Sequence, residues 1–104
     1  EARTVEANDR IFDYVTTLAE ATRTHPMVEL GVSPRGALAL CRMAKAHAFL
    51  AGRDFVVPED VAAIFPDVCA HRLILSAKAR MMEEKAENIL SEILKSVDMP
   101  VLKA

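Results

Sequence analysis

The stretch from Gly31 to Val61, GVSPRGALALCRMAKAHAFLAGRDFVVPEDV, constrains the fold more than any other part of the chain, because it reads as a long amphipathic helix with a marked start and stop. Ser33 offers a hydroxyl that can accept from an exposed backbone N–H one turn ahead, and the fixed φ of Pro34 suits the first helical position. Gly52 is the residue best able to take the left-handed conformation that ends a helix. A helix is therefore predicted from about Pro34 to Ala51. On it Ala37, Leu40, Cys41, Ala44, Ala48 and Ala51 recur at spacings of three and four, as a buried stripe requires. Most are small, which lets neighbouring helices approach closely. Arg35, Arg42 and Lys45 fall together on the opposite side, with Phe49 as an apolar exception.

The flanking segments read as further helices. From about Ala7 to Arg23 one face carries Ile11, Tyr14, Val15, Leu18 and Thr22, and His25-Pro26 closes the run because a residue before proline leaves the helical region. The linker from Met27 to Val32 is apolar for a loop and is expected to lie against another surface. Pro58 starts a third helix behind Val57, an N-cap without a side-chain oxygen, for which Glu59 and Asp60 partly compensate by facing the positive helix end. Pro66 is expected to break that helix near Phe65. Met82, Ala86, Ile89, Leu90, Ile93, Leu94 and Val97 form the cleanest amphipathic pattern, predicting a fourth helix over about Ala79 to Val97. His71 to Leu75 could pair as a short strand with Phe55 to Val57. The expected fold is all-α: four helices with at most a two-stranded scrap of sheet, and Ile11, Leu18, Leu40, Ala44, Ala48, Val61, Ile64, Ile89 and Ile93 in the core.

With 104 residues and 11.4 kDa the chain is read as one domain with a modest core. Hydrophobic residues make up 52 %, yet no apolar run approaches the ~20 residues that cross a bilayer, and nothing resembles a signal peptide. A cytoplasmic chain without membrane insertion is expected. A net charge of −2 argues against a sequence-independent nucleic-acid binder, which carries a basic surplus. Cys41 and Cys69 have neither CxxC spacing nor the density of a secreted scaffold, and read as small core residues. The start at Glu1 without Met leads us to expect a domain cut from a longer protein.

The run GVSPRGALAL…AFLAGRDFVVPEDVAAIFPDVCAHRLIL resembles the C-terminal lid subdomain of an AAA+ ATPase of the MoxR type, a likeness extending over roughly Ile11 to Pro100. It rests on three ordered motifs: the Ser-Pro-Arg helix start, the Gly-Arg-Asp-x-Val-x-Pro-x-Asp-Val link and the His-Arg-Leu that follows. The resemblance implies a nucleotide-responsive lid whose sensor-two arginine, Arg35, meets the γ-phosphate of ATP, with Ser33 and Pro34 presenting it. It also implies ATP and magnesium in the parent, an N-terminal AAA+ core in the same chain, and neighbouring subunits of a homo-oligomeric ring, expected to be a hexamer. Client or regulatory proteins would be assembled or activated by that parent, as by a chaperone.

Read from the residues themselves, Arg35 lies in the first turn of a helix, where a cation faces the positive dipole end and an anion is wanted nearby. The bland alternative is an exposed arginine or a local salt bridge. Arg42 and Lys45 read as a solvated face. His71 and Arg72 are expected to hold the last helix or to touch a subunit. His25 and His47 have no carboxylate or cysteine at ligand spacing that would point to a metal. Glu59, Asp60 and Asp67 read as helix solvation near caps and turns.

The chain has no GxxxxGK[ST] loop and no strand ending in acidic metal ligands, so this stretch alone is expected to bind nucleotide weakly at best, to need no cofactor and not to hydrolyse ATP. The competing reading is a non-enzymatic interaction module of histone-fold type, because a helix, an extended link and a further helix occur there too. The acidic balance, Pro66 and the Ser-Pro-Arg start oppose it.

Overall fold

The computed structural model describes residues 5–100. Its order is α1 (Asp9–Thr24), β1 (Val28–Leu30), α2 (Pro34–Leu50), α3 (Pro58–Cys69), a 3-10 turn (Ala70–Arg72), β2 (Ile74–Leu75), α4 (Ala77–Met81) and α5 (Ala86–Ser96). The architecture is a helical bundle with a two-stranded antiparallel element. The most extensive helix contact is between α2 and α3; α5 packs on α3 and α1, and α1 on α2.

The helices α1, α2 and α3 begin where the sequence offers an acceptor or a proline, whereas α5 starts behind Lys85 without a side-chain cap. Asn8 caps α1, its side chain accepting from the Ile11 N–H at 3.1 Å. Ser33 caps α2, its Oγ accepting from Gly36 N–H at 3.1 Å. The end of α2 is set by Gly52 at φ +85°, a left-handed conformation that glycine takes without steric cost. Ala51, expected on the buried stripe, lies just past the last helical residue and is exposed.

The core holds Ile11, Leu18, Leu40, Ala44, Ala48, Val61, Ile89 and Ile93 as expected, joined by Phe65, Leu90 and Val32. Ile64 is only half-buried and packs at the core's edge. Ala44 and Ala48 have no exposure at all, which is what small residues achieve where α3 lies close against α2.

Three expectations are corrected. α3 does not end near Phe65 but runs through Pro66 to Cys69. Proline removes one helical hydrogen bond and crowds the preceding turn, at a cost of ~3 kcal/mol, but Phe65 and Cys69 on either side are fully buried, and their packing outweighs it. The single helix expected from Ala79 to Val97 is two, because Glu83 turns the chain at φ +58° and Glu84 N–H closes back on Ala79 O at 3.0 Å. Met82, counted in the apolar stripe, is therefore exposed, while Ala79 is buried in the short α4 that Ser76 caps.

The small sheet also differs in partner. β2 pairs with β1, Val28 opposite Leu75 and Leu30 opposite Ile74, rather than with residues 55–57. The apolar linker expected to lie against another surface is thus partly a strand. Phe55 instead bridges Glu6, in parallel, ahead of α1.

Candidate functional site

The start of α2 is held from three sides. Thr22, buried near the end of α1, donates its hydroxyl to Ala19 O at 2.6 Å and accepts from Val32 N–H at 2.9 Å. Arg23, from the same turn, donates Nε to Val32 O at 2.8 Å. Val32, two residues before the helix, thus has both its backbone polar groups satisfied by α1. The close approach requires Gly31, where a Cβ would come within 2.7 Å of Thr22 Oγ1 and of the Arg23 backbone nitrogen. With the linker clamped, Ser33 caps the helix and Pro34 takes its first position.

On the third side lies Arg72, from the 3-10 turn. A Cβ on Gly36 would meet Arg72 Cδ at 3.3 Å and Val32 Cγ1 at 2.8 Å, so the arginine's aliphatic part lies over the first turn of α2. Arg72 and His71, expected to hold the last helix or to touch a subunit, are both exposed, and the 3-10 turn that carries them contacts α5 as well as lying beside α2. An open cleft of about 410 Å³ results, lined by Arg23, Leu30, Val32, Ser33, Pro34 and Arg72 together with Gly31.

Ser33 and Pro34 therefore line a cleft with two arginines, at a helix end whose free N–H groups add partial positive charge. Arg35 is exposed on the same first turn and does not line the cleft. Among the described residues its guanidinium has no ion-pair or hydrogen-bond partner. The corner can attract an anion that approaches from outside the domain. Further along α2, Arg42 is exposed and Lys45 half-buried.

A second cluster lies where α2, its following loop and α3 meet. Asp60 is fully buried and accepts from Arg53 Nη1 at 2.6 Å, Arg53 Nη2 at 2.8 Å and Val57 N–H at 2.8 Å, with His47 Nδ1 at 2.6 Å. Burial acts to raise its pKa, but the Arg53 hydrogen bonds, the Val57 N–H and His47 outweigh it and hold the carboxyl down at about 2. Asp60 was read as helix solvation, and the structure corrects this: it is the most highly coordinated side chain of the link. Its position three residues after the N-cap was a legible sign, since an acid there reaches back to the cap N–H. Its burial was not.

Among the described residues no three histidine, cysteine or acidic side chains gather as a metal site would require. His25 accepts from Met27 N–H at 3.0 Å and faces Glu92 at 3.4 Å. Both cysteines are free, and burial raises their pKa, that of Cys69 to about 11, so neither is poised as a thiolate. No helix among the described residues is long and apolar enough to cross a membrane.

Comparison with known proteins matches residues 20–93 to the AAA lid domain family. The uncharacterised protein YeaC of Bacillus subtilis is 40 % identical over 104 residues, all of this chain and 32 % of that protein. The chaperone MoxR1 of Mycobacterium tuberculosis is 34 % identical over 90 % of this chain and 27 % of its own length. A crystal structure of a provisionally assigned ATPase from Cytophaga hutchinsonii superposes with a TM-score of 0.88 at 31 % identity, over 94 % of this chain and 32 % of that one. The chain thus spans about a third or less of these relatives.

Proposed function

The chain belongs to the AAA lid domain family, as a lid of MoxR type, and from that premise we propose that it closes over ATP held by an AAA+ core of the same protein and responds to the γ-phosphate through Arg35. One observation carries the reading. Arg35 is a solvent-exposed cation in the first turn of a proline-started, serine-capped helix, where the dipole makes a cation unfavourable unless an anion is near, and no carboxylate among the described residues supplies one. A guanidinium fork matches phosphate oxygens, and its exposure leaves it open to a nucleotide bound elsewhere.

The donor set of the chain fits one edge of such a nucleotide and no more. Arg35 would hold a terminal phosphate oxygen, and Ser33 and Pro34 fix the turn that presents it. ATP with magnesium supplies the phosphoryl group whose loss changes the charge at that contact. The phosphate loop, the metal ligands and the attacking water's base belong to the core that we place before this lid in a longer, cytoplasmic parent chain. Neighbouring subunits of a homo-oligomeric ring, a hexamer in this reading, and client proteins remodelled by it complete the proposal. Lid rotation between triphosphate and diphosphate states would carry the signal. Family membership sets aside the histone-fold-like pairing module.

The test compares ATP and ADP affinity in the full-length protein with Arg35 and with Arg35→Ala. Loss of discrimination is expected. Equal preference for ATP in the two proteins would leave Arg35 an ordinary surface residue.

A further inference from the structure

The extended chain before α1 is gripped by the α2–α3 loop. Glu6 N–H donates to Asp54 O at 2.9 Å and Glu6 O accepts from Val56 N–H at 2.8 Å, while Val5 and Val56 are buried on either side of this bridge. Phe55 and Val57, on either side of the Val56 that grips Glu6, are held by the Arg53–Asp60 pair. Arg53 Nη1 donates to Phe55 O at 3.2 Å as well as to Asp60, and its guanidinium lies over the Phe55 ring, 5.9 Å from the centroid. Asp60 takes the Val57 N–H. The peptide groups on both sides of Val56 are therefore tied, through Arg53 and directly, to one buried carboxylate, which His47 anchors to α2.

We infer that Asp60 is a positioning residue: by shaping residues 53–57 it fixes the incoming segment 5–7 against the domain, so that this segment moves with the lid as part of one rigid body. Were the grip absent, segment 5–7 would be a free tether leading into α1, which itself stays fixed to α2 by its buried face and by the Thr22 and Arg23 bonds to Val32. With it, the direction in which the chain enters is set by the same cluster that joins α2 to α3. The consequence for nucleotide response rests on the lid reading above; the grip itself does not.

The experiment follows amide hydrogen exchange at Glu6 and Val56 in this chain, for wild type, Asp60→Asn and Arg53→Gln. Asparagine keeps the shape of Asp60 but removes the charge that holds the fork. Exchange at these two amides should speed up roughly tenfold to a hundredfold, the factor that goes with losing a charge-assisted hydrogen bond, while Leu18 and Leu40 amides keep their protection. A merely structural role would loosen all four alike. If Asp60→Asn does not fold, Arg53→Gln carries the test, since Arg53 is partly exposed and Asp60 keeps His47 and Val57. Wild-type exchange at Glu6 and Val56 in a folded variant would overturn the inference, and so would equal loss at all four amides. In the full-length protein, distances between a label on α2 and one on the ATPase core should spread more widely in Asp60→Asn with ATP and with ADP alike. An unchanged spread would overturn the claim that the grip sets how the lid is held to the core. Arg35→Ala, by contrast, should alter the difference between the two nucleotides without widening either distribution, so the sensor reading can fail while the grip stands.

Discussion

The Asp60 carboxylate accepts both ends of the Arg53 guanidinium fork, at 2.6 and 2.8 Å, from a position with no solvent exposure. A buried charge that lost these partners would be costly, so this pair governs how the domain responds to acid and to mutation.

The folded pKa of Asp60, about 2, lies below the ordinary value of 3.8. A depressed carboxylate contributes stability that is full above the unfolded value and is lost as pH falls through the folded one, here between pH 3.8 and about 2. The contribution is about 2 kcal/mol at neutral pH, where Asp60 is ionised in both states. Denaturant unfolding of wild type should weaken steeply across that acid window, and Asp60→Asn, less stable at neutral pH, should show a visibly shallower decline.

Arg35→Ala is expected to leave fold stability almost unchanged, because the side chain is exposed and partnerless among the described residues. In the full-length protein it should cost ~1.5–3 kcal/mol of the preference for ATP over ADP, the worth of a charge-assisted hydrogen bond. Arg35→Lys should fall between, since it restores charge without the planar fork. Calorimetric titration of both nucleotides measures the difference.

Thr22→Val should destabilise the domain by ~1–3 kcal/mol, because it leaves the buried Val32 N–H without its acceptor while hardly changing volume. Gly31→Ala should be at least as damaging, its Cβ meeting the Arg23 backbone at 2.7 Å. Urea midpoints for the two variants check this, and wild-type values would show that the linker is not clamped to α1.

Ala44→Leu should cost ~1–3 kcal/mol through overpacking, since Ala44 has no exposed surface in the stripe that α2 turns to the core. Ala51→Leu, at the same spacing but exposed, should be close to neutral by the same urea measurement.

Pro66→Ala should stabilise the domain by ~1–2 kcal/mol, by restoring a helical N–H and relieving the preceding turn, less the entropy that proline removes from the unfolded chain. A lower thermal midpoint in this variant would mean that the ring's packing matters more than the missing hydrogen bond.

What the sequence determined by itself was local and periodic. The Ser33 cap with Pro34, the stop at Gly52, the cap-side acids of α3 and the buried faces of α1, α2 and α5 all follow from interactions spanning one or two helical turns. The three motifs that carry the MoxR-type likeness were legible for the same reason, and with them Arg35 as the candidate residue. Whatever depended on a partner distant in the chain was decided by the tertiary structure. Pro66 is tolerated because Phe65 and Cys69 are buried around it; β2 pairs with β1 because the bundle brings residue 75 to residue 28; Glu83 breaks the expected last helix where α4 and α5 part. Asp60 shows the difference most directly. Its place in the first turn of α3 could be read from the sequence, but a carboxylate's burial depends on which cations reach it, and Arg53 and His47 come to it from the loop and from α2 only once the helices have packed.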